Sequence, residues 1–174
     1  MRSWNYVVTA HKPTVVTHSC VGNFTAPDQL NLIVAKCTRL EIYLLTHQGL
    51  QPMFDVPVYG RIATVELFRP PNEAQDFLFI GTERYRYCVL HWDGRNSDLL
   101  TRSEGDASNR FGYPTDKGQI GVIDPDCQLV GLHIYDGVFK ASYLCTLFLV
   151  EFAMLLLEAM LKFNYLRKQV NTFN

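Results

Sequence analysis

Short apolar or alternating runs follow one another from residue 5 to about residue 140, with Gly, Pro, Asn and Asp between them. Such a pattern is typical of many short β-strands joined by turns. No segment in this part shows a convincing helical pattern. The clearest runs are rich in Val, Ile, Leu and aromatic residues and cover residues 30–35, 40–46, 62–68, 77–81, 88–92, 120–123 and 129–134. The pattern therefore predicts an all-β fold.

A weak internal repeat indicates how these strands are grouped. The segments LNLIVAKCTRLEIYLL, DFLFIGTERYRYCVLHW and CQLVGLHIYDGVFKASYL each contain an apolar strand, a polar turn and a second strand. Their turns centre near Thr38, Arg84 and Gly137, a spacing of roughly 45–55 residues that is close to one propeller blade. Outer strands from VPVYGRIATVELFRP and from residues 97–123 complete the blades. The repeat predicts a partial β-propeller of about three blades, and an ordinary β-sandwich is the alternative.

Residues 104–119, EGDASNRFGYPTDKGQ, form a polar, Gly-containing segment between strand candidates. Such a segment is long for a plain turn, and long loops often carry binding residues. A binding loop and an insertion on the propeller rim are both consistent with this composition.

The composition changes at residue 141, where Leu, Met, Ala and Phe replace β-branched residues until residue 166. This change predicts a C-terminal α-helix. Its length suits a membrane span, but Glu151 and Glu158 lie inside it and are costly in hydrocarbon. Their spacing places both on roughly one face, which favours an amphipathic helix packed on the propeller. Membrane association is not expected.

Charge and cysteine content narrow the functional classes. Sixteen Lys and Arg balance seventeen Asp and Glu, giving a net charge of −1, so the broad basic surface of nucleic-acid-binding proteins is absent from the composition. The start of the sequence lacks the pattern of a secretory signal, and a reducing compartment is expected. Five widely spaced Cys residues then suit small buried hydrophobic side chains better than disulfides. The Asn23-Phe24-Thr25 triplet is interpreted as a chance match to a glycosylation acceptor.

No constellation for catalysis or metal binding is visible. The five histidines occur singly and are interpreted as surface or hydrogen-bonded strand residues; they are His11, His18, His47, His91 and His133. The sequence contains no GxSxG elbow, Walker loop or GxGxxG before a helix. We therefore expect neither an enzyme nor a cofactor or metal site.

Two further motifs have structural and functional interpretations. Asp124-Pro125-Asp126 lacks the remaining ligands of a calcium loop and is interpreted as a turn. Aromatic residues alternate with Arg from residue 84 to residue 92. That alternation occurs where single-stranded bases stack, but the two faces of one strand are the favoured explanation.

Four long phrases in order are similar to the family of the DNA damage-binding protein large subunit: NYVVTAHKPT, LNLIVAKCTRLEIYLLT, YGRIATVELFRP and IGVIDPDCQLVGLHIYDGVFK. The resemblance runs from residue 5 to residue 140. Propeller scaffolds of the cleavage-and-polyadenylation and splicing machineries belong to the same wider family.

The resemblance implies a non-catalytic adaptor of three propellers, found in the nucleus and also the cytoplasm, which takes part in nucleotide excision repair. In that family, the adaptor links substrate-receptor proteins to a cullin-four ubiquitin ligase. Residues 1–16 then correspond to a strand of another propeller, residues 17–140 to part of the first propeller, and residues 141–174 to a divergent helical tail. Because the cullin-binding second propeller is missing, the resemblance implies a truncated adaptor that has lost cullin binding and reaches damaged DNA only through a partner.

The resemblance also indicates one partner-binding residue. Arg110 matches the family pattern DRxGxPxxxG, which reads NRFGYPTDKG here, whereas Tyr113 stands where the family usually has a second Arg. Two alternatives to the adaptor are a nucleic-acid-binding propeller subunit of an RNA-processing complex and a non-functional truncated product.

Overall fold

The fold of the chain was obtained as a computed structural model that describes residues 11–108, 118–135 and 138–143. In these ranges the chain forms eleven strands in three antiparallel sheets. The first sheet contains β1 (His18–Gly22), β2 (Asn31–Lys36), β3 (Arg39–Thr46) and β4 (Gly49–Pro57). The second contains β5 (Ile62–Phe68), β6 (Phe77–Thr82), β7 (Arg86–Asp93) and β8 (Asp98–Asp106). The third contains β9 (Ile120–Ile123), β10 (Leu129–Tyr135) and β11 (Val138–Tyr143).

Each sheet is a meander in which strands that follow one another along the chain are also neighbours in the sheet. The prediction of an all-β fold with about three blades is confirmed, because three such meanders are the repeating unit of a propeller. Two hairpin turns lie where the repeat places them, and Cys37 and Tyr85 adopt the positive φ values of tight turns there, 55° and 62°. The third predicted turn, near Gly137, lies outside the described residues.

The first strands of the three sheets lie next to one another, since β5 contacts both β1 and β9. The prediction that residues 56–70 supply outer strands is therefore wrong for β5, which lies at this inner edge. Burial explains its position, because Ile62, Val65 and Phe68 are all enclosed. The exposed strands β4 and β8 form the opposite, outer edges.

Apolar side chains fill two separate cores, one on each face of the second sheet. Strand β6 shows the arrangement most clearly: Leu78 and Ile80 pack into the core shared with the first sheet, whereas Phe77 and Phe79 pack into the core shared with the third. Side chains alternate between the two faces of a strand, so a strand covered on both sides must be apolar throughout. The continuous apolar run FLFI in the sequence has this cause.

Polar contacts between loops join the first two sheets. The Asp76 carboxylate accepts hydrogen bonds from the backbone N–H of Asn23 at 2.6 Å and from Nε of Arg69 at 2.8 Å. In return, the backbone N–H of Asp76 donates to the Asn23 carbonyl at 2.9 Å. These contacts fix the end of β1 to the connection between β5 and β6.

The predicted C-terminal helix is wrong for residues 141–143, which belong to β11. Ala141 pairs with Gly131 and Tyr143 with Leu129, so hydrogen bonding to β10 prevails over local helix propensity at these positions. The rest of the predicted tail, residues 144–174, lies outside the described residues. Within the described ranges, no helix is long and apolar enough to span a bilayer. The assignment of residues 1–16 to another propeller stays a prediction.

Candidate functional site

Arg110, the predicted partner-binding residue, lies outside the described residues, and so does Tyr113. The chain that leads to Arg110 is well anchored: the backbone N–H of Ala107 donates to the Tyr85 carbonyl at 2.7 Å, and Lys140 Nζ donates to the Ala107 carbonyl at 2.7 Å. The predicted long loop also begins later than expected, because β8 continues to Asp106. A partner-binding role for Arg110 remains a prediction.

A cleft of about 850 Å³ lies between the outer parts of the first and second sheets. It is bordered by the end of β4 and the following connection on one side, and by β7 and β8 on the other. We call this cleft the β4–β8 groove. Its floor is apolar and consists of the outer margin of the first core, formed by Val56, Val58, Leu90 and Leu99.

The wall of the groove on the side of the second sheet carries mostly negative charge. Three carboxylates, Asp98, Glu104 and Asp106, lie there with a single guanidinium, that of Arg86. Alternation places Glu104 and Asp106 on this face of β8, where they pair with Cys88 and Arg86 of β7, and Asp98 borders the groove at the start of the strand. The arrangement leaves an excess of two negative charges beside an apolar floor.

The charge state of the wall follows from its hydrogen bonds. Ser108 donates to Asp106 through its backbone N–H at 2.8 Å. Hydrogen bonds from Ser108, together with the nearby positive charges of Arg86 and Lys140, hold the pKa of Asp106 below its usual value. In the part of the chain that the structure describes, neither Asp98 nor Glu104 belongs to an ion pair. Both carboxylates are exposed to solvent.

Tyr59 borders the groove on the side of the first sheet and is 100% exposed. The connection that carries it is held at both ends, since Val58 N–H donates to the Thr38 carbonyl at 2.8 Å and Ile62 N–H to the Cys37 carbonyl at 2.7 Å. Exposed tyrosines are enriched at protein interfaces because they offer an apolar ring and a hydroxyl. The groove thus combines an apolar floor, an acidic wall and an exposed aromatic ring.

The cysteine interpretation is confirmed for two residues. Burial raises the pKa of Cys20 to about 12 and that of Cys88 to about 11. Both thiols therefore stay protonated and pack as small apolar groups at the margin of the first core. Cys20, Cys37, Cys88 and Cys127 are all free thiols, while Cys145 lies outside the described residues.

Metal and histidine chemistry find no support in the described parts of the chain. No group of three or more His, Cys, Asp or Glu side chains that could hold a metal occurs there.

His91 packs against Phe77 at a ring distance of 4.9 Å. Burial, and to a lesser extent the charge of Arg102, lowers the pKa of His91, so this ring is neutral at pH 7. The expectation of hydrogen-bonded strand histidines is wrong for the buried Nδ1 atoms of His18 and His91, which have no hydrogen-bond partner within the described residues.

The aromatic residues between positions 84 and 92 do not form a stacking platform. Trp92 lies in the first core, where it meets Phe54 edge to face at 5.4 Å. Tyr87 stacks on Phe79 at 6.0 Å, and Tyr85 packs on Tyr135 at 4.8 Å, both at the second core. The interpretation that these residues serve the two faces of one strand is confirmed for Tyr87 and Trp92, which lie on β7, whereas Tyr85 lies in the turn before this strand.

The Asp124 segment is a turn, as predicted. The Asp124 carbonyl accepts the backbone N–H of Cys127 at 2.9 Å, which closes a β-turn between β9 and β10. Asp124 Oδ1 also accepts the backbone N–H groups of Gln128 and Leu129 at 2.7 and 2.6 Å. Through these hydrogen bonds the Asp124 carboxylate stabilises the turn.

The side chains of Asn23 and Thr25, from the triplet that matches a glycosylation acceptor, form hydrogen bonds within the fold. Nδ2 of Asn23 donates to the Gln29 carbonyl at 3.1 Å. Thr25 is only 5% exposed, and its hydroxyl donates to Oδ1 of Asn31 at 2.9 Å. The interpretation of this triplet as a chance match is consistent with both contacts.

Comparison with known proteins decides the family. Residues 15–146 match the family model described as the RSE1/DDB1/CPSF1 first beta-propeller. The chain belongs to this family. The resemblance in the sequence was expected to end at residue 140. The match to the family model continues to residue 146 and includes all of β11.

Relatives in this family are close in sequence. Over 140 residues the chain is 77% identical to DNA damage-binding protein 1 of Oryza sativa subsp. japonica and 76% identical to DNA damage-binding protein 1a of Arabidopsis thaliana. DNA damage-binding protein 1 of Solanum lycopersicum is 72% identical over the same length. These matches cover 80% of this chain and 13% of each relative. The chain thus spans about an eighth of the length of the relatives it matches.

Proposed function

We propose that this chain acts as a non-catalytic protein-interaction unit of an adaptor that links substrate-receptor proteins to a cullin-RING ubiquitin ligase in DNA damage recognition. The observation that carries the proposal is the identity of 77% over 140 residues to a protein named DNA damage-binding protein 1. Propellers commonly bind partners on exposed surfaces of a rigid scaffold. The groove with its exposed Tyr59 is a surface of this kind.

The proposed partners are substrate receptors of cullin-four ligases, and the proposed location is the nucleus and also the cytoplasm. Contact with damaged DNA is proposed to be indirect, through such a receptor. The net charge of −1 and the acidic groove support this choice, because phosphate binding requires concentrated positive charge. The burial of Tyr87 and Trp92 against the cores argues in the same direction, since neither ring is available to stack on bases.

The cullin contact is not proposed for these blades, because the family resemblance assigns it to the second propeller. A substrate receptor is proposed to be held by surfaces of the first propeller.

Co-purification tests the proposal. The tagged full chain is mixed with a purified substrate receptor of a cullin-four ligase or with purified cullin-four, in the presence of nuclease to remove bridging DNA. We expect the receptor to be retained and cullin-four to be absent from the eluate. The Phe79→Ala variant, which disrupts the core shared by the second and third sheets, serves as the control for a folded surface.

Loss of receptor retention from the natural chain, under conditions in which circular dichroism shows folded β-structure, would contradict the proposal. Retention of cullin-four without receptor would also contradict it, because the ligase contact would then lie within these blades. Equal retention by the natural chain and Phe79→Ala would mean that binding does not require the fold.

A further inference from the structure

We propose that the β4–β8 groove binds an extended, basic segment of a partner protein, which lies along β8 and places an apolar side chain on the groove floor. The inference rests on the proposed scaffold function and names the chemistry of one of its partners. Three independent features of the groove support it: the floor, the charges of the wall and the character of the two edge strands.

The floor calls for an apolar side chain. Val58 and Leu99 approach the groove from opposite sheets and are only half-buried. They continue the first core outwards beyond the side chains that the two sheets bury against each other. An aliphatic or aromatic group placed between them would remove apolar surface from water, which stabilises a complex by about 25 cal/mol per Å². Tyr59 lies at the border and can cover such a group.

The wall calls for positive charge. Asp98 and Glu104 face solvent without an ion-pair partner among the described residues. Arg86 compensates one of the three carboxylates, since it stands opposite Asp106 across the β7–β8 pair. A segment with Lys or Arg would complement the remaining charge, whereas an acidic segment or a nucleic acid backbone would be repelled.

The edge strands call for an extended backbone along β8. Both β4 and β8 are the last strands of their sheets and offer backbone groups to an added strand. Strand β4 contains Pro52 and Pro57, which lack an N–H donor and are typical of a protected edge. Strand β8 contains no proline over Asp98–Asp106. An added strand is therefore accommodated better by β8 than by β4.

Alternation along an added strand fits the same surface. Successive side chains of an extended segment point to opposite sides, so every second residue faces the groove. A segment in which two basic residues are followed by two apolar residues therefore presents both kinds of side chain to the groove. It can place one apolar group on the floor and basic groups beside Glu104. The partner is thus defined by its chemistry, as an extended basic and aliphatic peptide.

Fluorescence anisotropy with a defined probe tests this inference. The probe is a fluorescein-labelled peptide of about ten residues built from Lys and Val, and the control peptide replaces every Lys with Glu. We expect saturable binding of the Lys peptide to the full chain and none of the Glu peptide. The affinity should fall when NaCl is raised from about 0.05 M to about 0.5 M, because salt screens the charges.

Two charge-reversal variants locate the contact. Glu104→Lys changes the groove wall and should weaken binding of the Lys peptide by about tenfold. Asp28→Lys makes the same change of charge at an exposed turn that does not line the groove, and should leave the affinity within about twofold. If both variants weakened binding equally, or if neither weakened it, the location of the peptide in the β4–β8 groove would be overturned.

A methylated probe tests the extended backbone. N-methylation of alternate amides along one edge of the peptide removes the donors of that edge only. One of the two possible methylated peptides should lose binding and the other should keep it, because a single edge pairs with β8. Equal binding of both peptides would overturn strand addition.

Failure of this inference is distinguishable from failure of the scaffold function. Retention of a substrate receptor by both the natural chain and Glu104→Lys, with no binding of the Lys peptide, would reject the groove and leave the scaffold function standing. Absence of receptor binding with intact peptide binding would have the opposite meaning. Light scattering that shows Glu104-dependent self-association would identify a second copy of the chain as the occupant and would also reject the proposal.

Discussion

Replacing Phe79 with alanine should destabilise the chain by about 3–5 kcal/mol, the usual cost of removing a buried phenylalanine side chain. Phe79 lies in the middle of β6, is 0% exposed and packs into the core between the second and third sheets. Its ring stacks on Tyr87, so truncation leaves a cavity that two sheets must close. Urea unfolding of the full chain, followed by tryptophan fluorescence, measures the loss.

Leu100→Ala is the matched control for Phe79→Ala. Leu100 lies on β8 of the same sheet but is 42% exposed, so its truncation should change the free energy of unfolding by at most about 0.5 kcal/mol. A comparable loss in both variants would mean that the second core does not form as described. The two substitutions together separate a packed sheet from a general loss of apolar surface.

Asn31→Ala should cost about 3 kcal/mol, because it leaves several buried donors without an acceptor. Asn31 is 0% exposed, and its Oδ1 accepts the backbone N–H groups of Phe24 and Thr25 at 3.0 and 2.9 Å as well as the Thr25 hydroxyl. The substitution therefore releases the loop between β1 and β2, which also carries the Asn23 contact to Asp76. Thermal or urea unfolding measures the effect.

The control for this substitution is Asn96→Ala. Asn96 is exposed in the turn between β7 and β8, where its side chain donates to Asp93 at 2.7 Å. Because solvent can replace that bond, a change within about 0.5 kcal/mol is expected. If Asn31→Ala were as mild as Asn96→Ala, the buried polar loop would not be a determinant of stability.

Strand positions could be predicted from the sequence because burial repeats every second residue or covers whole short runs. The run at residues 77–81 is the clearest case, since a strand enclosed on both faces must be apolar at every position. The hairpin turns near Thr38 and Arg84 followed from polar residues between such runs. The DPDC turn followed from the ability of Asp to accept backbone N–H groups.

The arrangement of the sheets could not be predicted in the same way. The contact between Asn23 and Asp76 joins residues that are 53 positions apart, and no local pattern indicates that they meet. The inner position of β5 likewise depends on contacts with β1 and β9 rather than on its own composition. Helix propensity at residues 141–143 was overridden by pairing with β10 for the same reason.

The β4–β8 groove was missed because its parts look ordinary when taken separately. Asp98, Glu104 and Asp106 resemble any solvated strand face, and the exposure of Tyr59 is invisible without the fold. One signal was present: carboxylates recur along residues 98–106 next to apolar residues. The carboxylates of β8 indicate a binding surface only in the folded chain, where β8 lies beside Val58 of the connection that follows the first sheet.

Hydrogen exchange measured by mass spectrometry, on the full chain alone and with a purified substrate receptor, tests the central claim that three propeller sheets form a rigid partner-binding unit. Amides of β6 should exchange most slowly in both states, because both faces of that strand are covered, whereas β4 and β8 should exchange faster as edge strands. Added receptor should slow exchange in surface segments and leave β6 unchanged. Exchange of β6 as fast as that of β4 and β8, or no segment slowed by the receptor, would contradict the account.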